Sequence, residues 1–393
     1  MKITTLSTAR GIPFNNVFQE FAETYSLSED VECYQLYYCP EGTPLDSTEG
    51  TSFADLDRIE FKSNTVILNV IDSIIDYSDN LDIAGLENFC AKHSDINFIL
   101  FSPHLGLQRI LDIPNLYCDE IISSPLKEPK TSWFKPCEKK SITNRFISLN
   151  ADTNVHRILV LSYILSKNYS VNGDFTFDFD RPPFRDPSKY LNMGKMPDNL
   201  KSKFNAGLQR LKSKDLKLLH NIPPFDWSNI DPAANYNDNL YKSYENYGVE
   251  IITSTLYFER VPILTEKELQ NIYAKTFPIY INGVGIVREL KKMFDFDLFD
   301  DIIDHSYDEI EDHFERMTAA IDRNQHLLNG STNIQDLWIK NRHRFESNVQ
   351  KLNSLAFDNC LPEYADKVQR QKPFNFNIIQ KALTHFNITT TLI

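Results

Sequence analysis

Apolar positions along this chain follow two alternating rhythms, and the alternation points to an α/β fold. Short runs rich in β-branched and aromatic residues read as strands, while apolar residues recurring three and four apart read as helices. KITTLST (2–8) predicts a first strand, 16–25 a helix and VECYQLYY (31–38) a second strand. TVILNVI (65–71) predicts a third strand, ending at Asp72. A helix over 83–93, a strand at INFILFS (96–102), a short helix over 107–111 and a strand at DEIISS (119–124) complete the series. Strands separated by helices form βαβ units on a parallel sheet.

Residues 125–143 break the rhythm with prolines and clustered lysines and read as an interdomain linker. The alternative for this basic stretch, which includes Trp133 and Phe134, is a patch for phosphates or nucleic acid. A second α/β series follows. RFISLN (145–150) leads into a helix over 156–168, and a Pro- and Asp-rich stretch (174–197) precedes a helix over 199–219. VEIITST (249–255), a helix over 265–276, PIYIN (278–282) and a helix over 285–294 come next. Two amphipathic helices, roughly 307–328 and 333–356, end the series. The expected architecture is α/β, with two Rossmann-like domains and a helical C-terminal segment. Residues 1–140 form the first domain, 141–360 the second, and 361–393 a tail that packs back on the body. Two such domains suggest a ligand in the cleft between them, at the carboxyl ends of the strands.

Composition narrows the class. Glycine (12) and proline (19) are sparse among 393 residues, which excludes collagen-like and linker-rich chains. The longest apolar runs, such as Ile158–Leu165, fall well short of the ~20 residues of a membrane helix. The first residues carry no secretory apolar core. Six scattered cysteines with no CxxC or zinc spacing suit free thiols in a reducing, cytoplasmic compartment. A net charge of −13 argues against a general nucleic-acid coat. Walker A and GxGxxG patterns are absent, which disfavours an ordinary nucleoside-triphosphatase or nicotinamide dehydrogenase.

The densest chemistry lies in ILTEKELQNIYAKTFPIYINGVGIVREL (263–290). Thr265 and Glu268 stand at capping-box spacing, which on its own predicts only a well-formed helix start with exposed charges. The same geometry suits a diphosphate, since the helix N-terminus offers free N–H groups and Lys267 adds a full positive charge. Glu266 is then available to ribose or sugar hydroxyls.

This segment resembles the donor-binding motif of fucosyltransferases and related GT-B glycosyltransferases. The resemblance is stronger still to an uncharacterised bacteriophage glycosyltransferase-like family, in which an aromatic-rich stretch and a Ser-Tyr-Asp-Glu-Ile segment follow. Here these are FDFDLFDDIIDHSYDEIEDHFER (294–316). Asn150 at a strand end, followed by His156 and Arg157 at the start of an apolar helix, is similar to a second element of these families. There the arginine contacts the donor pyrophosphate, a task for which a planar guanidinium is suited. The plain alternative for Arg157 is a surface arginine at a helix start. Two departures stand out: Gln270 replaces a frequent lysine, and Asp295-Phe296 replaces a usual Gly-Phe.

The resemblance implies transfer of a sugar from a nucleoside-diphosphate sugar to an acceptor hydroxyl. The implied donor-binding set is Asn150, Arg157, Thr265, Glu266 and Lys267. No cofactor or metal is implied, because protein cations neutralise the diphosphate. The acceptor is a modified DNA base, a glycan or a small molecule, and the location is the cytoplasm, of the host if phage-encoded. Asp72 and His104 are the candidates for the acceptor's base; the alternatives are that each merely caps the segment after its strand. Two Asp-x-Asp triplets, Asp178–Asp180 and Asp295–Asp297, offer a metal-dependent GT-A alternative. A third possibility is a binding module that keeps the fold without turnover.

Overall fold

The computed structural model describes residues 1–6, 17–38, 50–70, 82–119, 135–150, 155–176, 196–212, 240–254, 260–354 and 372–393. The chain divides into two compact units. One comprises Met1–Lys130, Phe258–Thr265 and Ser354–Ile393, and the other Thr131–Tyr257 and Glu266–Asn353. Both are α/β, each built on a parallel sheet.

In the first unit β1 (Lys2–Thr5) leads to helix α1 (Val17–Thr24), the short β2 (Tyr25–Leu27) and β3 (Val31–Leu36). β4 (Thr65–Val70), helix α2 (Ile83–Lys92), β5 (Asn97–Phe101) and β6 (Leu116–Asp119) follow. The sheet order β1-β3-β4-β5-β6 is parallel throughout. Every residue of β3 and β4 is buried, the signature of strands covered on both faces. Alternation then sorts the side chains. Tyr34, Leu36, Val66, Leu68, Phe98 and Leu100 pack with Leu86, Phe89 and Cys90 of α2. The last described strand, Leu116–Asp119, begins before the predicted 119–124, of which 120–124 lie outside the described residues. Its start is set by Asn115, whose amide binds the carbonyls of Cys90, His93 and Ile96.

The second unit contains β7 (Thr143–Leu149), helix α3 (Val155–Ser166), the edge strand β8 (Gly173–Thr176) and helix α4 (Asp198–Lys212). β9 (Tyr247–Thr253), α5 (Glu266–Ala274), β10 (Phe277–Ile281) and α6 (Ile286–Phe294) complete the sheet layer. α7 (His313–Arg323) and α8 (Ile334–Ser354) close it. Its parallel sheet runs β10-β9-β7-β8. From β7 the chain therefore winds one way to β8, then returns to the other side of β7 as β9. α3 and α4 approach so closely that a Cβ at Gly207 would lie 1.8 Å from the Ser162 carbonyl oxygen. Lys139, from the stretch read as a linker, donates to the Tyr244 and Tyr247 carbonyls at the entry to β9. Desolvation pushes its ammonium down to about 8.

The helix predicted over 307–328 is broken. A 3-10 turn at Ser306–Glu309, α7 capped by Asp312, and one further turn at Gln325–Leu328 replace it. The cause is Asp308, whose carboxylate is drawn away to another helix. After α6, Asp295 takes the left-handed conformation (φ 53) that a glycine would occupy most easily. Lys351 of α8 holds it through an ion pair at 2.7 Å.

The end of the chain returns to the first unit. The helix over 83–92 covers one face of this sheet, and the opposite face needs cover of its own. α9 (Lys372–His385) provides it together with α1: Phe376, Ile379, Ala382 and Leu383 pack with Phe18, Phe21, Cys33, Ile67 and Ile99. β11 (Thr390–Leu392) pairs antiparallel with β2. Phe376 sits edge-on to Phe21 at 5.3 Å and to Tyr25 at 5.9 Å. Phe376→Ala is expected to destabilise this unit by about 3–5 kcal/mol, the cost of emptying a buried aromatic site, as read by denaturant unfolding. A loss under about 1 kcal/mol would mean that the helix is not part of this core.

Candidate functional site

In an open α/β sheet, ligands bind beyond the carboxyl ends of the strands where the winding reverses direction. In the second unit that place lies between β7 and β9. The first residue after each of β7, β9 and β10 is a short polar one: Asn150, Ser254 and Asn282. All three are buried. Asn150 binds the strand ends to each other. Its backbone N–H donates to Thr176 Oγ1 at 2.7 Å, its carbonyl Oδ1 accepts from Thr253 Oγ1 at 2.6 Å, and its Nδ2 donates to Ser148 Oγ at 3.1 Å.

Ser254 and Asn282 share a partner. Glu268, on the inner face of α5 and fully buried, accepts from the Ser254 hydroxyl and from Asn282 Nδ2 at 3.0 Å. Asn282 Nδ2 also reaches Ser254 Oγ at 2.6 Å. Behind them the buried Arg316 donates from Nε to the Asn282 carbonyl at 3.1 Å and from its fork to the Ile310 and Glu311 carbonyls. Glu268 is thus an internal tie, not the exposed capping charge that the spacing alone predicts. Burial of so many polar groups is tolerable because they satisfy one another.

Around this knot stand the cations. His156, in the first turn of α3, binds the Ser254 carbonyl through Nε2 at 2.7 Å. A carbonyl only accepts, so Nε2 carries the hydrogen. Burial, then the positive charges of Arg157 and Lys267, push the imidazole down to about 3, against the pull of that hydrogen bond. The ring is neutral at physiological pH. The first turns of α3 and α5, which carry Arg157 and Lys267, are thereby tied to the same residue, Ser254, through His156 and Glu268. Arg157 is buried and Lys267 half-buried, one at the start of α3 and the other in the first turn of α5. Thr265 precedes α5 and is buried; the Glu266 side chain lies outside the described residues. Gln270, where a lysine is frequent in the resembling families, is buried.

A second helix start has its anion built in. Asp308, of the Ser-Tyr-Asp-Glu-Ile segment, caps α6: its Oδ2 accepts the Val287 N–H at 2.9 Å. Glu309 pairs with Arg288, and the Tyr307 hydroxyl accepts the Tyr280 N–H at 3.0 Å. That segment therefore organises the unit around the site. Burial raises the Asp308 carboxyl to about 7, despite its backbone hydrogen bonds. The Asp295–Asp297 triplet is engaged in ion pairs, Asp297 with the Arg344 fork at 2.6 and 2.7 Å and Asp295 with Lys351. Asp72, Asp178 and Asp180 lie outside the described residues. In the first unit His104 is buried beyond β5 and forms an isolated antiparallel bridge with Ile263. Desolvation pushes its imidazole down to about 3, which makes it a weak base as it stands.

Ser254, Asn282, Arg316 and the inward role of Glu268 were not singled out from sequence. The readable signal was the first small polar residue after each apolar strand, a pattern applied only at Asn150. His156 and Asp308 titrate in opposite senses. The unfolded chain protonates His156 below about 6.5, whereas the folded ring resists to about 3, so its contribution is complete above about 6.5 and is lost as pH falls. Asp308 keeps its proton up to about 7 when folded, so its contribution is complete in acid and is lost as pH rises towards 7. Between pH 4.5 and 6.5, His156→Gln is expected to lose stability relative to the parent by about 1.4 kcal/mol per unit of rising pH. Asp308→Asn is expected to gain by a similar slope. Denaturant titrations at several pH values check both, and slopes equal to the parent's would refute the assignment.

No family model matches the chain, and no curated protein matches it. Among solved structures, the chain is similar to one described as accessory secretory protein 1, 2 and 3 of Streptococcus pneumoniae, at 9% identity and a TM-score of 0.30. The similarity covers 92% of this chain and 56% of that one, so the chain spans little more than half the length of the structure it matches.

Proposed function

We propose that the chain is a nucleotide-sugar-dependent glycosyltransferase of GT-B type, with the donor diphosphate held by the second unit. The observation that carries this reading is that the first turns of α3 and α5, which carry Arg157 and Lys267, both bond Ser254, through His156 and Glu268, at the sheet's topological switch point. Two cations and a helix N-terminus match the charge of a nucleoside diphosphate as the glycosidic bond breaks. The acceptor, a modified DNA base, a glycan or a small molecule, is assigned to the first unit. Its hydroxyl requires a base, for which Asp72 and His104 are the candidates. The depressed basicity of His104 favours a second reading, a nucleotide-sugar-binding module without turnover. Transfer and hydrolysis assays across a panel of nucleotide sugars separate the two.

Lys267→Ala and Arg157→Ala are each expected to weaken UDP or GDP binding, whichever the protein takes, by about 1.5–3 kcal/mol. Binding of the parent nucleoside should barely change. Unchanged diphosphate affinity in both variants, by calorimetry, would leave α5 as no more than a well-capped helix. Because protein cations stand at the diphosphate, transfer is expected to continue in excess EDTA. Activity lost on chelation and restored by manganese would favour the Asp178–Asp180 alternative.

A further inference from the structure

Resting on that reading, we propose that Glu268 is the positioning residue of the diphosphate site and acts through Lys267. Successive helix residues point about 100° apart, so Glu268 faces the sheet when Lys267 does not. The Glu268 carboxylate takes the Ser254 hydroxyl from the end of β9 and the Asn282 amide from the end of β10. Ser254 in turn gives its carbonyl to His156, and Asn282 gives its own to Arg316. The first turn of α5 is therefore fixed in rotation and height against three other elements, α3, β9 and β10. Fixing the turn fixes the direction of Lys267. Long lysine side chains lose much rotamer freedom on binding, and a rigid base reduces that loss.

The sign of the effect makes the proposal testable. A carboxylate next to an anion site repels the ligand, so simple electrostatics predicts tighter binding once Glu268 is neutralised. Positioning predicts the opposite. With inorganic pyrophosphate as the calorimetric probe, Glu268→Gln is expected to bind about 5- to 20-fold more weakly than the parent. Ser254→Ala, which removes a single hydroxyl, should shift binding in the same direction by a smaller factor. In a Lys267→Ala background both losses should vanish, because the residues act through that lysine. A general loosening of the fold would instead persist in that background. Should Glu268→Gln fail to fold, as judged by its thermal transition, Ser254→Ala with and without Lys267→Ala decides. If neither Lys267→Ala nor Arg157→Ala weakens pyrophosphate binding, the donor-site reading fails, and if only Lys267→Ala leaves it unchanged, the positioning role is overturned. If Lys267→Ala weakens it, while Glu268→Gln binds equally or more tightly, or loses the same factor in both backgrounds, only the positioning role is overturned.

Discussion

The shared hydrogen bonds of Glu268 with Ser254 and Asn282 hold the working end of the second unit together. Parallel strands end with polar backbone and side-chain groups pointing into one crevice, and without mutual partners those groups would remain costly to bury. One carboxylate inside α5 satisfies the ends of β9 and β10 at once. The consequence spreads outward: Ser254 is free to offer its carbonyl to His156, which fixes the tautomer of that ring. The neutral imidazole lets two cations stand nearby without a third charge between them. Arg316 completes the arrangement from below by bonding carbonyls that the turns leave open.

Two helix starts in this unit meet opposite fates, and the contrast sharpens the assignment of the site. The amino end of α6 receives a buried carboxylate from Asp308, with Glu309 paired to Arg288 beside it. Its partial positive charge is already matched. The amino end of α5 carries Lys267 between Glu266 and Glu268, and the Glu268 carboxylate is taken up by Ser254 and Asn282. The residues following α6 serve to cap and brace. Asp297 and Asp301 hold the Arg344 fork of α8, and Asp295 takes a left-handed backbone that Lys351 of the same helix secures.

Much of the fold was legible because its strands are buried on both faces and announce themselves as continuous apolar runs, as at TVILNV and FPIYI. Elements with weak local signals were not. β8 is four residues at a sheet edge, and β2 and β11 are three residues each, stabilised mainly by each other across the whole chain length. The break within 307–328 was hidden because its cause is tertiary: Asp308 is helix-compatible locally but is claimed by α6. In the site, Arg157 and Lys267 were legible as charges at helix starts. Glu268 was misread for the converse reason. Capping-box spacing specifies where a glutamate stands along the helix, but which way its carboxylate turns depends on strand ends 14 residues away in either direction.

An acidic chain with a net charge of −13 is at first sight a poor host for a diphosphate. Screening resolves the conflict. At physiological salt the Debye length is about 8 Å, so exposed acids elsewhere on the surface contribute little at the site. Those nearer by are committed to internal donors: Glu268 to Ser254 and Asn282, Asp308 to the α6 backbone. On the proposed reading, an anion at the switch point would meet Arg157 and Lys267 at short range, where burial strengthens such charges. The global charge then works against loose, long-range attraction of polyanions while leaving short-range recognition intact.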